Sequence, residues 1–139
     1  HFIGDESAFS EDFQRKLRHM EKATENNGGL LLNVALNYGG RREITLAVRK
    51  IAKLCAEGKL SAEDIDEKTI ENYLDTSGQH DPDLIIRPSG EYRLSNFLMW
   101  QSAYSELWFD NVLWPDFSEN DLRRAVHDYQ KRNRRFGGV

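Results

Sequence analysis

Two apolar runs, each broken off by a glycine loop that carries arginine, constrain what this chain can fold into. Leu30 to Leu36 is almost continuously apolar, interrupted only by Asn33, and leads into Asn37-Tyr38-Gly39-Gly40-Arg41-Arg42. Leu84-Ile85-Ile86 breaks directly into Arg87-Pro88-Ser89-Gly90-Glu91-Tyr92-Arg93. A strand that alternates apolar and polar residues is covered on one face, whereas one apolar throughout needs cover on both, as in a parallel sheet. Segments of a different period separate these runs. Phe9, Phe13, Leu17 and Met20 recur at three- and four-residue steps behind Ser10, a good N-cap, and Asn26-Asn27-Gly28-Gly29 ends that helix. Ile44, Ala47, Val48, Ile51 and Leu54 predict a helix over 43–57, closed by Gly58. Short and long helices follow at 67–74 and 119–134, the last with Leu122, Ala125, Val126 and Tyr129 inward, and Phe2-Ile3 and Glu106 to Phe109 read as further strands. Residues 95–103 read as a helix N-terminus or a tight connection. The alternation of strand and helix predicts an α/β fold, a mainly parallel central sheet with helices on both faces, in one domain spanning 1–139.

Composition narrows the function. With 39% apolar and 30% charged residues, the 139-residue chain is of globular type, and its net charge of -4 argues against a general nucleic-acid binder. Basic residues gather in Lys131-Arg132-Asn133-Arg134-Arg135, a pattern that most often marks a solvated helix face. Cys55 is the single cysteine, so no intrachain disulfide forms, and a reducing, cytoplasmic setting is the expectation. No stretch approaches the ~20 apolar residues of a membrane span. The opening His1-Phe2-Ile3-Gly4-Asp5 has no initiator methionine and reads as a strand entering a turn, which suggests a fragment of a longer chain.

The Arg87–Ser95 segment is the strongest chemical signal. A loop at the carboxyl end of a strand is the usual ligand position in α/β sheets. Arginine's planar fork matches phosphate oxygens, Ser89 and Ser95 add short donors, and Gly90 lets the backbone approach a ligand. These residues suit a diphosphate clamp. The alternative is structural, with Arg87 and Arg93 paired to Asp81, Asp83 or Glu91. A helix opening at Ser95-Asn96 would add free N–H groups for an anion. Glu106, set among Tyr104, Leu107, Trp108 and Phe109, needs a partner: either a loop arginine in a salt bridge, or Mg²⁺ shared with substrate phosphate. The Asn37–Arg42 loop matches neither the P-loop nor the dinucleotide fingerprint, and the four histidines lack metal-ligand spacing.

Longer patterns carry a resemblance. Arg87-x-Ser-Gly-Glu-x-Arg-x-Ser-Asn-Phe-Leu-x-Trp-Gln-x-x-Tyr-x-Glu106 is followed by Leu113-Trp114-Pro115-Asp116-Phe117 and Arg134-Arg135-Phe136-Gly137-Gly138. Together with Leu32-Asn33-x-Ala-x-Asn37-Tyr38-Gly39-Gly40-Arg41, these resemble the cis-prenyltransferases, nearest the bacterial undecaprenyl diphosphate synthases, over essentially the whole chain. Pro88 departs from the threonine more usual there. The resemblance implies condensation of isopentenyl diphosphate onto an allylic diphosphate such as farnesyl diphosphate. By residue, it implies that Arg87, Arg93 and Ser95 hold isopentenyl diphosphate. It further implies that Glu106 helps bind Mg²⁺ across a homodimer and that Arg135 and Gly137 complete the partner's site. Leu30 and Leu32 would lie on the strand lining an apolar tunnel for the growing chain.

The family's Met-Asp-Gly-Asn-Gly-Arg-Trp and Ser-x-Glu-Asn-Trp segments, which serve the allylic diphosphate and the reacting carbons, do not occur here. The expectation is therefore a C-terminal portion with no catalytic residues of its own, inactive alone, whose lipid product implies contact with the membrane face. A non-catalytic accessory subunit of a prenyltransferase complex and a plain phosphate-binding α/β domain are the alternatives. Accessory subunits of that kind tend to lose the arginine-serine clamp, which is intact here.

Overall fold

Parallel strand pairing organises both parts of the molecule. A computed structural model describes residues 1–133, and the chain divides into two compact units, residues 1–79 and 80 onward. Arg135 and Gly137 lie outside the described residues.

In the first unit, β1 (Phe2–Gly4) pairs in parallel with β2 (Val34–Leu36), Phe2 opposite Val34 and Gly4 opposite Leu36. Helix α1 (Glu11–Thr24) connects them, and Ser10 caps it by accepting from the Phe13 N–H. After β2 come α2 (Gly40–Ala56) and the short α3 (Glu67–Glu71), whose N-cap Asp66 accepts from Thr69. Ile3, Leu17, Ala47, Ile51 and Leu74 are this unit's buried apolar residues. The strand expected over Leu30 to Leu36 is shorter than its apolar run. Leu30, Leu31 and Leu32 precede the paired segment at 90%, 54% and 63% exposure, and the Leu32 carbonyl accepts from the His1 amine at 2.8 Å.

Gly4 is the tightest point of this unit. Its φ is +112°, and a Cβ there would overlap the Leu36 carbonyl oxygen, so only glycine fits the close approach of β1 to β2. Its N–H donates to the Asp75 carboxylate at 3.1 Å.

In the second unit, β3 (Leu84–Arg87) pairs in parallel with β4 (Glu106–Phe109), Leu84 opposite Glu106 and Arg87 opposite Phe109. Successive side chains on a strand point to opposite faces. Helix α4 (Glu119–Gln130) serves the face carrying Trp108: the Trp108 Nε1 donates to Asp128 at 3.1 Å, and Arg124 lies 5.6 Å from the ring centre. The other face, with Ile85, Arg87, Leu107 and Phe109, meets the long 88–105 connection, where Tyr92 packs on Phe109 at 5.3 Å. Of the α4 residues expected inward, Ala125 is buried, while Leu122 and Val126 stand 46% and 40% exposed.

That connection contains no α-helix, contrary to the alternation read from the sequence. Ser89, Gly90, Ser95, Asn96 and Leu98 all have φ between 44° and 77°, which a right-handed helix does not tolerate. No helix N-terminus opens at Ser95-Asn96. The α/β class and the parallel pairing are as the sequence indicates, and no helix among the described residues is long and apolar enough to cross a membrane.

Two measurements test this account. Gly4→Ala should lower unfolding free energy by about 2 kcal/mol or more, since it adds backbone strain to a steric clash; an unchanged urea midpoint would contradict it. At the start of α4, Asp121 accepts from the Ser118 hydroxyl and N–H at 2.6 and 2.7 Å and from Arg124 at 2.6 Å. The Ser118 hydroxyl, then Arg124, draw the Asp121 pKa down from 3.8 to about 2. A depressed carboxylate pKa contributes stability that is complete above the ordinary value and lost as pH falls through the folded one. Asp121→Asn should therefore flatten the decline in stability between about pH 4 and about pH 2.

Candidate diphosphate and cation site

Arg87 ends β3, and the chain leaves the sheet in a strained turn held by backbone bonds to the segment after β4. The Ser89 N–H donates to the Val112 carbonyl at 2.7 Å and the Gly90 N–H to the Asp110 carbonyl at 2.8 Å. Gly90, at φ +66°, lies so close to Asn111 that a Cβ would meet its Oδ1 at 3.0 Å. Non-glycine residues with positive φ cost about 1–3 kcal/mol each and persist where their surroundings over-determine them, most often at ligand sites. Ser89, Ser95, Asn96 and Leu98 concentrate that strain in one loop.

Within it, Arg93 and Ser95 come together. The Arg93 Nε donates to the Ser95 Oγ at 3.2 Å, and its Nη1 pairs with the Glu91 carboxylate. Arg93 is 63% exposed, so this pair is in solvent and worth little on its own. The salt bridge offered as the structural alternative is thus present for Arg93. Arg87 makes no side-chain ion pair with any described residue, and its partly exposed side chain shares the strand face of Phe109.

Glu106 is elsewhere. It starts β4 opposite Leu84, on the Trp108 face, whereas Arg87 ends β3 on the other face. Its partner is not a loop arginine but Arg132, just past α4, whose Nη1 donates to the Glu106 Oε2 at 2.7 Å and to the Leu107 carbonyl at 2.9 Å. The described residues hold no group of three or more His, Cys, Asp or Glu side chains suited to a metal. A single half-buried carboxylate that already carries a cationic guanidinium suits magnesium only as a shared ligand, since Mg²⁺ commonly takes one or two carboxylates with substrate phosphate and water. The donor set fits the ion on those terms.

In the first unit, the Asn37–Arg42 loop is pinned from several sides. Asn37 adopts φ 48° and donates from Nδ2 to the Asp5 carbonyl at 3.3 Å, and Arg42 pairs with the Asp5 carboxylate at 2.9 Å. The buried Glu43 accepts from the Tyr38 hydroxyl at 2.6 Å and from the Asp75 N–H at 2.8 Å. Sequence reading missed Glu43 and Arg132. Glu43 gives a local hint, an acid five residues after a tyrosine on the inward face of a helix. Arg132 gives only its membership of a basic run.

Comparison with known proteins agrees with the motif. The family model described as "Putative undecaprenyl diphosphate synthase" matches residues 1–137. The isoprenyl transferase of Clostridium perfringens is 51% identical over 137 residues, 99% of this chain and 54% of that protein. That of Geobacillus kaustophilus is 55% identical, again over 99% of this chain and 53% of the relative. The crystal structure of lavandulyl diphosphate synthase from Lavandula x intermedia, in complex with dimethylallyl diphosphate, superposes with a TM-score of 0.95 at 43% identity over 98% of this chain and 58% of its own. That of a probable undecaprenyl diphosphate synthase from Campylobacter jejuni gives 0.85 at 32% identity, covering 99% of this chain and 62% of its own. The chain spans about half the length of the curated relatives it matches. It belongs to the undecaprenyl diphosphate synthase family of cis-prenyltransferases.

Proposed function

We propose that this chain forms the isopentenyl-diphosphate-holding part of a cis-prenyltransferase domain. That enzyme condenses isopentenyl diphosphate with an allylic diphosphate, farnesyl diphosphate in the undecaprenyl branch, to make the lipid carrier used in cell-wall synthesis. The observation that carries the reading is the arginine-serine loop itself. Arg87 stands at a strand end with no ion pair among the described residues, Arg93 and Ser95 are in contact, and positive φ angles recur over residues 89–98 around them. Two guanidinium groups and a hydroxyl give charge-assisted donors to a diphosphate. The Arg93–Glu91 pair, being solvent-exposed, gives way to a better anion at small cost.

In this reading Arg87, Arg93 and Ser95 hold the diphosphate of the incoming unit. The two guanidinium charges orient it so that its alkene end faces the allylic carbon. Cationic donors also stabilise the negative charge that develops as the allylic diphosphate departs. Glu106 is the chain's ligand for Mg²⁺, which when bound neutralises diphosphate charge. Leu30, Leu31 and Leu32, exposed to 90%, 54% and 63%, support an apolar lining for the product chain. A homodimer, in which Arg135 and Gly137 reach the partner's site, and contact with the membrane face through the lipid product complete the proposal.

Titration with isopentenyl diphosphate in Mg²⁺ tests it. Arg93→Ala should weaken binding roughly tenfold or more, the value of a charged hydrogen bond, and equal affinities would refute the clamp. The chain by itself should incorporate no radiolabelled isopentenyl diphosphate into a longer prenyl product; clear incorporation would show that it carries a complete site.

A further inference from the structure

We infer that Arg132 is a latch on Glu106: it holds one carboxylate oxygen, Oε2, and sets a positive charge against the group, so binding of a divalent cation to this carboxylate displaces the guanidinium. The inference rests on the reading of Glu106 as a cation ligand. A single Arg132 nitrogen, Nη1, donates to both the Glu106 Oε2 at 2.7 Å and the Leu107 carbonyl at 2.9 Å. The two acceptors differ in charge. When a cation takes the carboxylate, the carbonyl bond remains available, so Arg132 keeps a neutral anchor on β4 instead of swinging free.

The position of the arginine is set by the fold. Its backbone N–H donates to the Tyr129 carbonyl at 3.0 Å, which closes the last turn of α4. That helix is fixed to β4 by the Trp108–Asp128 bond and by Arg124, which bridges Asp110 at 3.1 Å and Asp121 at 2.6 Å. Arg132 therefore reaches Glu106 from a rigid support, with both side chains partly exposed at 36% and 26%. Such a pair is weak enough to be displaced and close enough to oppose a second positive charge. Unlike the exposed Arg93–Glu91 pair in the loop, it lies on the helix side of the sheet and answers to a cation rather than to an anion. An arginine in this place balances the carboxylate's charge until substrate-borne metal arrives.

Binding of Mn²⁺ to the 139-residue chain saturated with isopentenyl diphosphate, followed by the paramagnetic resonance of the free ion at low salt, separates the possibilities. Arg132→Gln should bind Mn²⁺ roughly two- to fivefold more tightly than the unaltered chain, the range a partly exposed ion pair can impose. Glu106→Gln should lose that binding in either background. High salt should narrow the gap between Arg132→Gln and the unaltered chain, as charge repulsion is screened. In nuclear magnetic resonance, Mg²⁺ should shift the Arg132 side-chain signal in the unaltered chain and leave it in place in Glu106→Gln. If Arg132→Gln binds no more tightly while Glu106→Gln still abolishes binding, the latch is wrong and the metal reading stands. If Glu106→Gln binds Mn²⁺ as the unaltered chain does, or none of the three binds, the metal reading fails and the latch falls with it. A melting temperature for Arg132→Gln that matches the unaltered chain rules out a folding defect as the source of any change.

Discussion

The register of β3 on β4 is the constraint from which the geometry of the second unit follows. Leu84 stands opposite Glu106 and Arg87 opposite Phe109. At ~3.3 Å per residue, Arg87 and Glu106 are separated by about 10 Å along the strands, and the pleat turns them to opposite faces. A one-residue slip would reverse both faces and put Arg87 under the helix. The correct register keeps Arg87 on the side of the long connection and Glu106 on the side of α4. This explains why the acid does not neutralise the loop arginines, as a reading of charges along the sequence suggests. Its partner has to come from the helix side, and Arg132 supplies it.

The same pairing sustains the strained loop. Ser89 and Gly90 continue the alignment past the end of β3 by donating to Val112 and Asp110, while Tyr92 rests on Phe109. Those contacts hold the chain in left-handed conformations that would otherwise relax. Strain of this kind fixes the directions of side-chain donors in advance, which would reduce the order lost on binding a ligand. A loop stabilised by its own helix would have presented different groups. A regular helix over 95–103 would have aimed backbone N–H groups at an anion, whereas here the side chains of Arg93 and Ser95 are the donors in contact.

Periodicity and capping made most elements legible. Ser10, Asp66 and Ser118 begin helices because their side chains or backbones meet orphan groups of the first turn, a rule that acts within a few residues. Strand extent was less legible. Leu30 to Leu32 have the composition of a strand, but composition does not say how many of its residues pair, and β2 covers only Val34–Leu36. Leu122 and Val126 satisfy the helical period yet remain exposed, because period identifies an apolar stripe without saying what covers it. The candidate site was proposed mainly from its long motif. Arg132 was hidden because it meets an acid 26 positions away across a helix and a strand, and no local spacing encodes that meeting.

Glu43 shows how far a single buried acid can carry such long-range order. It is 2% exposed, one of its oxygens accepts from Tyr38 and the other from the N–H of Asp75, and Asp75 in turn accepts from the N–H of Gly4. The chain of bonds therefore joins the loop after β2, the segment after α3 and the end of β1. Asp75 is exposed as a residue, yet partial burial of its carboxyl, followed by the charge of Glu43, raises its pKa. Two acids this close are a cost that an apolar core would avoid. What the arrangement supplies is direction: a buried carboxylate is satisfied only when its donors stand at defined angles, so it admits fewer loop conformations than a hydrophobic contact would. The fold here tolerates local repulsion to fix the Asn37–Arg42 loop, much as the strained turn after β3 accepts poor backbone angles to fix Arg93 and Ser95. In both units, a loop of glycine and arginine is held in place by the least comfortable part of the local structure.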